Sequence, residues 1–139
     1  MQAIAPHILI VDTDMSAAEV TRAVISRAVP EARVAIAPAG GDVDLNVHSD
    51  CPDLLIIDPS PHDVYGARLI RQLKAERPSA RVIVIASAPT PPLRRMMAEV
   101  QVDVYLEKPV LLTFFQNQLR ALLQNDAASA DLVRTDVTE

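Results

Sequence analysis

Four places in the 139-residue sequence put chemically active side chains directly after short apolar runs. Asp12-Thr13-Asp14 follows Ile8-Leu9-Ile10-Val11, Asp58 follows Leu54-Leu55-Ile56-Ile57, Ser87 closes Val82-Ile83-Val84-Ile85-Ala86, and Glu107-Lys108-Pro109 follows Val104-Tyr105-Leu106. Acids at the ends of two neighbouring strands would repel each other in a partly buried cleft unless a cation sat between them, and hard oxygen donors of this kind suit Mg²⁺. A lysine ammonium and a serine hydroxyl from the next two strand ends could hold phosphoryl oxygens. Together they point to phosphoryl chemistry on a carboxylate.

Positioning these groups in one cleft requires parallel strands ending on the same side. The first three of these apolar runs are continuous rather than alternating, the pattern of strands covered on both faces. Arg33 to Ala37 and Val104 to Leu106 read as two shorter strands. Helical periods lie between them. The first helix carries a Ser16/Glu19 capping box, with Val20, Val24 and Ala28 along one face and Pro30 beyond its end. A second runs from about Val64 to Glu76 with Leu69, Ile70 and Leu73 inward, and a last one from about Leu111 to Gln124 buries Leu112, Phe115, Leu119 and Leu122. Gly41 to His48 and Leu93 to Val100 are shorter helical segments, the latter entered through a Pro89-Thr90-Pro91-Pro92 loop. This βα alternation predicts a flavodoxin-like, doubly wound α/β fold of five parallel strands in the order 2-1-3-4-5 with five helices. Its ligand site lies at the carboxyl ends of the strands. One domain over residues 1–124 is expected, followed by a polar tail or linker over 125–139.

Composition excludes other classes. Half of the residues are hydrophobic and 22% are charged, which fits a single globular core. Thirteen Lys and Arg against eighteen Asp and Glu give a net charge of −5 with no basic run, so the domain is not expected to bind nucleic acid. With 3% aromatic residues and no Trp, stacking platforms for single strands are not expected either. The single Cys51 and the scattered His7, His48 and His62 form neither a disulfide nor a zinc pattern. No apolar run is long enough to span a membrane and Met1 to His7 lacks signal-peptide character, so a cytoplasmic location is expected.

The markers Ile8-Leu9-Ile10-Val11-Asp12, Pro52 through Asp58 with Gly66 eight residues after the acid, Val84-Ile85-Ala86-Ser87-Ala88, and Asp103-Val104-Tyr105-Leu106-Glu107-Lys108-Pro109 occur in order. In this the chain resembles the receiver domains of two-component response regulators, similar to the chemotaxis response regulator. The resemblance covers roughly Ile8 to Leu123. It implies that Asp58 accepts a phosphoryl group from a sensor histidine kinase, a phosphotransfer protein or a small acyl phosphate. Mg²⁺ would be held by Asp12, Asp58 and the carbonyl of Ser60. Lys108 would pair with the phosphoryl group, Ser87 would hydrogen-bond to it, and Ser87 and Tyr105 would form the switch. A cis peptide before Pro109 is implied too. The resemblance further implies a signalling module rather than an enzyme, acting on a downstream protein or output domain, with a second copy of the chain as a further partner.

The sequence departs from the family pattern at Thr13 and Pro59, in the proline of the loop Asp58-Pro59-Ser60-Pro61-His62, which stands at the third rather than the fourth position after the acid, and in Glu99-Val100-Gln101-Val102, which lacks the small residues expected before the fifth strand. Thr13 stands where a second carboxylate ligates the metal, so Mg²⁺ binding is expected to be weak. Pro59, directly after the acceptor, lacks an amide that would hold a phosphoryl oxygen. The alternative function is therefore a pseudo-receiver, a protein-binding module independent of phosphorylation. Asp14 reads as a helix-start acid rather than a ligand. Tyr105 reads equally as fixed packing or as a moving switch, and Cys51 as a packing residue. His62 is read as an ordinary loop residue. Arg94, Arg95, Asp103 and Arg120 read as a solvated charge pattern, with an interface as the alternative.

Overall fold

Every strand residue from Ile8 to Val11 and from Leu54 to Ile57 is buried, because successive side chains point to opposite faces of the sheet and both faces are covered. The structure is a computed structural model and describes residues 5–38, 51–59 and 65–124. The elements run β1 (His7–Asp12), α1 (Met15–Ala28), β2 (Arg33–Pro38), β3 (Leu54–Ile57), α2 (Tyr65–Glu76), β4 (Arg81–Ala86), α3 (Pro91–Glu99), β5 (Val104–Glu107) and α4 (Leu112–Gln124). All pairings are parallel and the order is β2-β1-β3-β4-β5, as the alternation predicted.

The two faces make two cores. Leu9, Val11, Leu55, Ile57, Val82 and Val84 pack under α2 and α3, while Ile8, Ile10, Leu54, Ile56, Ile83 and Val104 pack under α1 and α4. Each such Ile or Leu gains about 1.5–3 kcal/mol from leaving water, which exceeds the roughly 0.5–1 kcal/mol of side-chain rotamer freedom it loses and offsets the cost of ordering its backbone.

Four helices lie among the described residues rather than the five expected; the expected helix over Gly41 to His48 falls outside them, as do Ser60, His62 and the 125–139 tail. The expected capping box is replaced by Asp14, whose Oδ1 accepts from the amides of Ser16 (2.9 Å) and Ala17 (3.2 Å). An N-cap two residues earlier starts α1 at Met15. Its inward stripe runs through Ala18 and Ile25, leaving Val20, about 200° round from Ala18, 62% exposed. Leu112 is also exposed, because it stands one turn beyond the packed Phe115. Val20 and Leu112 instead line opposite sides of an apolar groove of about 500 Å³ between α1 and α4. Pro91 and Pro92 are not loop residues. Thr90 caps α3 and the prolines occupy its first turn, where a missing N–H costs nothing.

At the amino ends of the strands two aspartates tie the sheet together. Asp53 accepts from the His7 amide (2.7 Å) and pairs with Arg77 (2.6 Å), which also donates to the Cys51 carbonyl (2.9 Å). Asp103 is buried at 6% exposure, so it belongs to the interior and not to a charged surface pattern. It accepts from the Val82 amide (2.7 Å) and the Lys74 ammonium (2.9 Å).

Between α3 and β5 the chain turns through Gln101 at φ 58°, a left-handed conformation that costs a side-chain-bearing residue about 1 kcal/mol. Gln101→Gly should therefore raise the thermal midpoint by a few degrees in calorimetry. An unchanged or lowered midpoint would mean that the Gln101 side chain offsets the backbone cost.

Candidate functional site

β1 and β3 are neighbours in register, Val11 beside Ile57, and the Asp58 amide donates to the Val11 carbonyl at 3.1 Å. That pairing sets Asp12 and Asp58 side by side at the carboxyl end of the sheet. β4 delivers Ser87, whose amide donates to Asp58 Oδ1 at 3.1 Å and whose hydroxyl donates to Oδ2. The Lys108 amide bonds to the Ala86 carbonyl (3.0 Å), and its Nζ reaches Asp58 Oδ2 at 3.2 Å. The peptide between Lys108 and Pro109 is cis, as the resemblance implied. The Asp58 side chain is only 12% exposed, yet Ser87 and Lys108 are open to water, so the cleft is reachable from outside. Three of the residues singled out for phosphoryl chemistry thus meet on one carboxylate.

Asp12 is buried at 6% exposure and its Oδ1 accepts from the Asp14 amide at 2.9 Å. Burial holds its carboxyl above the usual range; the Asp14 amide opposes this, and the charge of Asp58 adds to it. Thr13 points to solvent and Asp14 is spent capping α1, so neither supplies a third carboxylate. Among the described residues no group of three or more His, Cys, Asp or Glu is gathered to hold a metal. Two apposed hard oxygen donors remain, Asp12 and Asp58, and they fit a Mg²⁺ ion with a reduced ligand set.

Pro59, directly after Asp58, is held close to α2. Pro59 is buried, and a Cβ placed on Gly66 would lie 2.9 Å from Pro59 Cβ, so Gly66 is required by this close approach.

A model of the response regulator receiver domain matches residues 8–124. The chain belongs to that family. No curated protein matches the sequence. Solved structures similar to this receiver include one of CheY-like type from Methanospirillum hungatei JF-1, at 19% identity over 96% of this chain and 99% of the other, with a TM-score of 0.73. The receiver domain of a signal transduction histidine kinase from Syntrophus aciditrophicus is 22% identical over 86% and 91%, TM-score 0.73. That of a DNA-binding response regulator from Colwellia psychrerythraea 34H is 20% identical over 86% and 98%, TM-score 0.73. These likenesses concern the fold.

In this receiver Tyr105 is half-buried against the core under α2 and α3. Its hydroxyl donates to Glu107 Oε2 at 2.9 Å, and Arg94 of α3 holds the same carboxylate through Nε (2.5 Å) and a second guanidinium nitrogen (3.2 Å). Glu107 as the partner of Tyr105 is not evident from strand-end chemistry alone. The signal is in the spacing: residues two apart on a strand share a face. No helix among the described residues is long and apolar enough to cross a membrane.

Proposed function

We propose that this receiver accepts a phosphoryl group on Asp58 and converts that event into a change of its protein-binding surface. The observation that carries the reading is the convergence of the Ser87 amide, the Ser87 hydroxyl and the Lys108 ammonium on the Asp58 carboxylate. In the transfer, an Asp58 oxygen bonds to phosphorus as the bond from phosphorus to the donor's leaving group breaks. That leaving group is the imidazole of a phosphohistidine or the carboxylate of an acyl phosphate. Lys108 offsets the charge on the phosphoryl oxygens, and the Ser87 hydroxyl leaves the carboxylate to donate to one of them. Mg²⁺, held by Asp12 and Asp58, would supply further neutralisation of that charge.

On this reading the chain is a cytoplasmic signalling module rather than an enzyme. A histidine kinase or phosphotransfer protein acts upstream, and an output domain, a separate protein or a second copy of the chain lies downstream. A pseudo-receiver is the second reading, favoured by Thr13 facing solvent and Asp14 spent on a helix cap. Intact-mass measurement after incubation with acetyl phosphate and Mg²⁺ separates the two. One added phosphoryl group, lost in Asp58→Asn, is the expected result. An unmodified parent at high acetyl phosphate would select the pseudo-receiver, and labelling that survives Asp58→Asn would remove Asp58 as the acceptor.

A further inference from the structure

Arg94, Glu107 and Tyr105 lie outside the group that meets on Asp58, yet they are joined to it by a closed ring of contacts. Ser87 bonds to Asp58; the chain continues from Ser87 into α3 and Arg94; Arg94 grips Glu107; Glu107 is bonded in sequence to Lys108; and Lys108 returns to Asp58. Within the sheet Ala86 is the register partner of Glu107, so the residue before Ser87 and the residue before Lys108 stand side by side. If Ser87 or Lys108 moves at Asp58, the displacement has to be taken up somewhere in this ring. The remaining strands and α3 are anchored by buried side chains such as Leu93 and Met97. The polar pair at the surface is the joint with least packing behind it.

We propose that Glu107 is a positioning residue: its carboxylate, braced by Arg94, holds the Tyr105 side chain in one place and sets how far the ring follows events at Asp58. This rests on reading Asp58 as the phosphoryl acceptor. One carboxylate oxygen, Oε2, receives both the Tyr105 hydroxyl and Arg94 Nε, so loss of the guanidinium frees the acceptor that fixes the phenol. Tyr105 and Glu107 share a face of β5, and the ring packs on the core while its hydroxyl reaches the charged pair. The Arg94 and Glu107 side chains are 50% and 32% exposed. Exposed pairs are weak and screened by salt, so this latch can open without unfolding the domain. Its electrostatic imprint is visible on each member: Arg94 and then Tyr105 hold the Glu107 carboxyl below the usual range, while burial and then Glu107 push the Tyr105 phenol up to about 12.

The chain has two tyrosines, so incorporation of 3-fluorotyrosine yields two fluorine signals, and Tyr105→Phe identifies the one from Tyr105. Spectra of the parent, Glu107→Gln and Arg94→Gln are recorded before and after addition of beryllofluoride with Mg²⁺. The fluorine signal of bound beryllofluoride reports occupancy of Asp58 independently of the tyrosines. Both substitutions should displace or broaden the Tyr105 signal and leave that of Tyr65 in place. At equal occupancy, beryllofluoride should shift Tyr105 at least twice as far in the variants as in the parent. Raised salt should act on the parent in the same direction and leave Glu107→Gln unaffected. Equal Tyr105 shifts in all three proteins at equal occupancy would overturn the proposal, as would a Tyr105 signal that neither substitution moves. Should no beryllofluoride bind to any of them while both substitutions still displace Tyr105, the reading of Asp58 falls and the hold of Glu107 on Tyr105 stands.

Discussion

Thr13→Asp should tighten Mg²⁺ binding about tenfold or more and speed acyl-phosphate labelling of Asp58, while making the metal-free domain about 1 kcal/mol less stable. The parent offers the ion two carboxylates, Asp12 and Asp58, the second already partly neutralised by Lys108. A third charge at position 13 raises the ligand charge that a divalent cation meets, and in the absence of the ion it adds repulsion to a buried acid. Asp12 is already held above the usual carboxylate range, chiefly by burial and further by Asp58. An acid whose folded pKa is raised binds its proton better folded than unfolded. Its charged form therefore costs stability above the folded pKa, and the cost disappears as the pH falls below the unfolded value. The destabilisation caused by Thr13→Asp should accordingly be present at neutral pH and be relieved either by acid or by Mg²⁺. Calorimetric Mg²⁺ titration, labelling time courses and urea unfolding of both proteins provide the check. A parent that binds Mg²⁺ as tightly and labels as fast as the variant would show that a group other than a carboxylate at position 13 completes the metal site.

Asp103→Ala should cost about 2–4 kcal/mol of folding stability and leave the labelling of Asp58 intact. The side chain is buried, and its Oδ2 satisfies both the Val82 amide and the Lys74 ammonium, with an Arg81 guanidinium nitrogen 3.8 Å from Oδ1. Truncation leaves an amide near the start of β4 without its acceptor and removes the counter-charge from a lysine that is itself mostly covered. Asp103→Asn, which retains an oxygen for Val82 but no charge, should lose roughly half as much. Urea midpoints at constant slope measure both. Equal, small losses would mean that water takes over from the carboxylate. Because Asp103 precedes β5 while Asp58 follows β3, the two sit at opposite ends of the sheet, which is why function and stability should separate here.

The sheet was legible because its evidence is local. A run such as Leu54 to Ile57, with four apolar residues and no polar alternation, has only one comfortable environment, between two layers of helix. The site residues were legible for a related reason: each one ends such a run, so parallel order alone brings Asp12, Asp58, Ser87 and Lys108 to the same side. What could not be read depends on choices between competing partners. Asp14 and Ser16 are both good helix caps, and only the course of the chain out of β1 decides for Asp14. Val20 and Leu112 have the right spacing for burial, but the α1 and α4 surfaces they belong to stop short of each other and leave a groove. Asp103 is indistinguishable in sequence from a surface acid, and only the Val82 amide opposite it makes it interior; Glu107 likewise depends on α3 bringing Arg94 to it.

The contact between Gly66 and residue 59 has a consequence for how this loop can vary. The obstacle to a side chain at 66 is the Cβ of Pro59 at 2.9 Å, while Ile57 Cδ1 (3.6 Å) and Pro59 Cα (3.7 Å) stand at ordinary contact distance. Every residue except glycine brings the same Cβ to position 59. Tolerance at the two positions is therefore lopsided: 59 is free to exchange its ring for an amide-bearing residue, while 66 stays glycine beside any residue at 59 that carries a Cβ. In a library randomised at both sites, survivors would be diverse at 59 and, wherever 59 is not glycine, uniform at 66. The amide missing at position 59 is thus recoverable by a single substitution, with no compensating change required in α2.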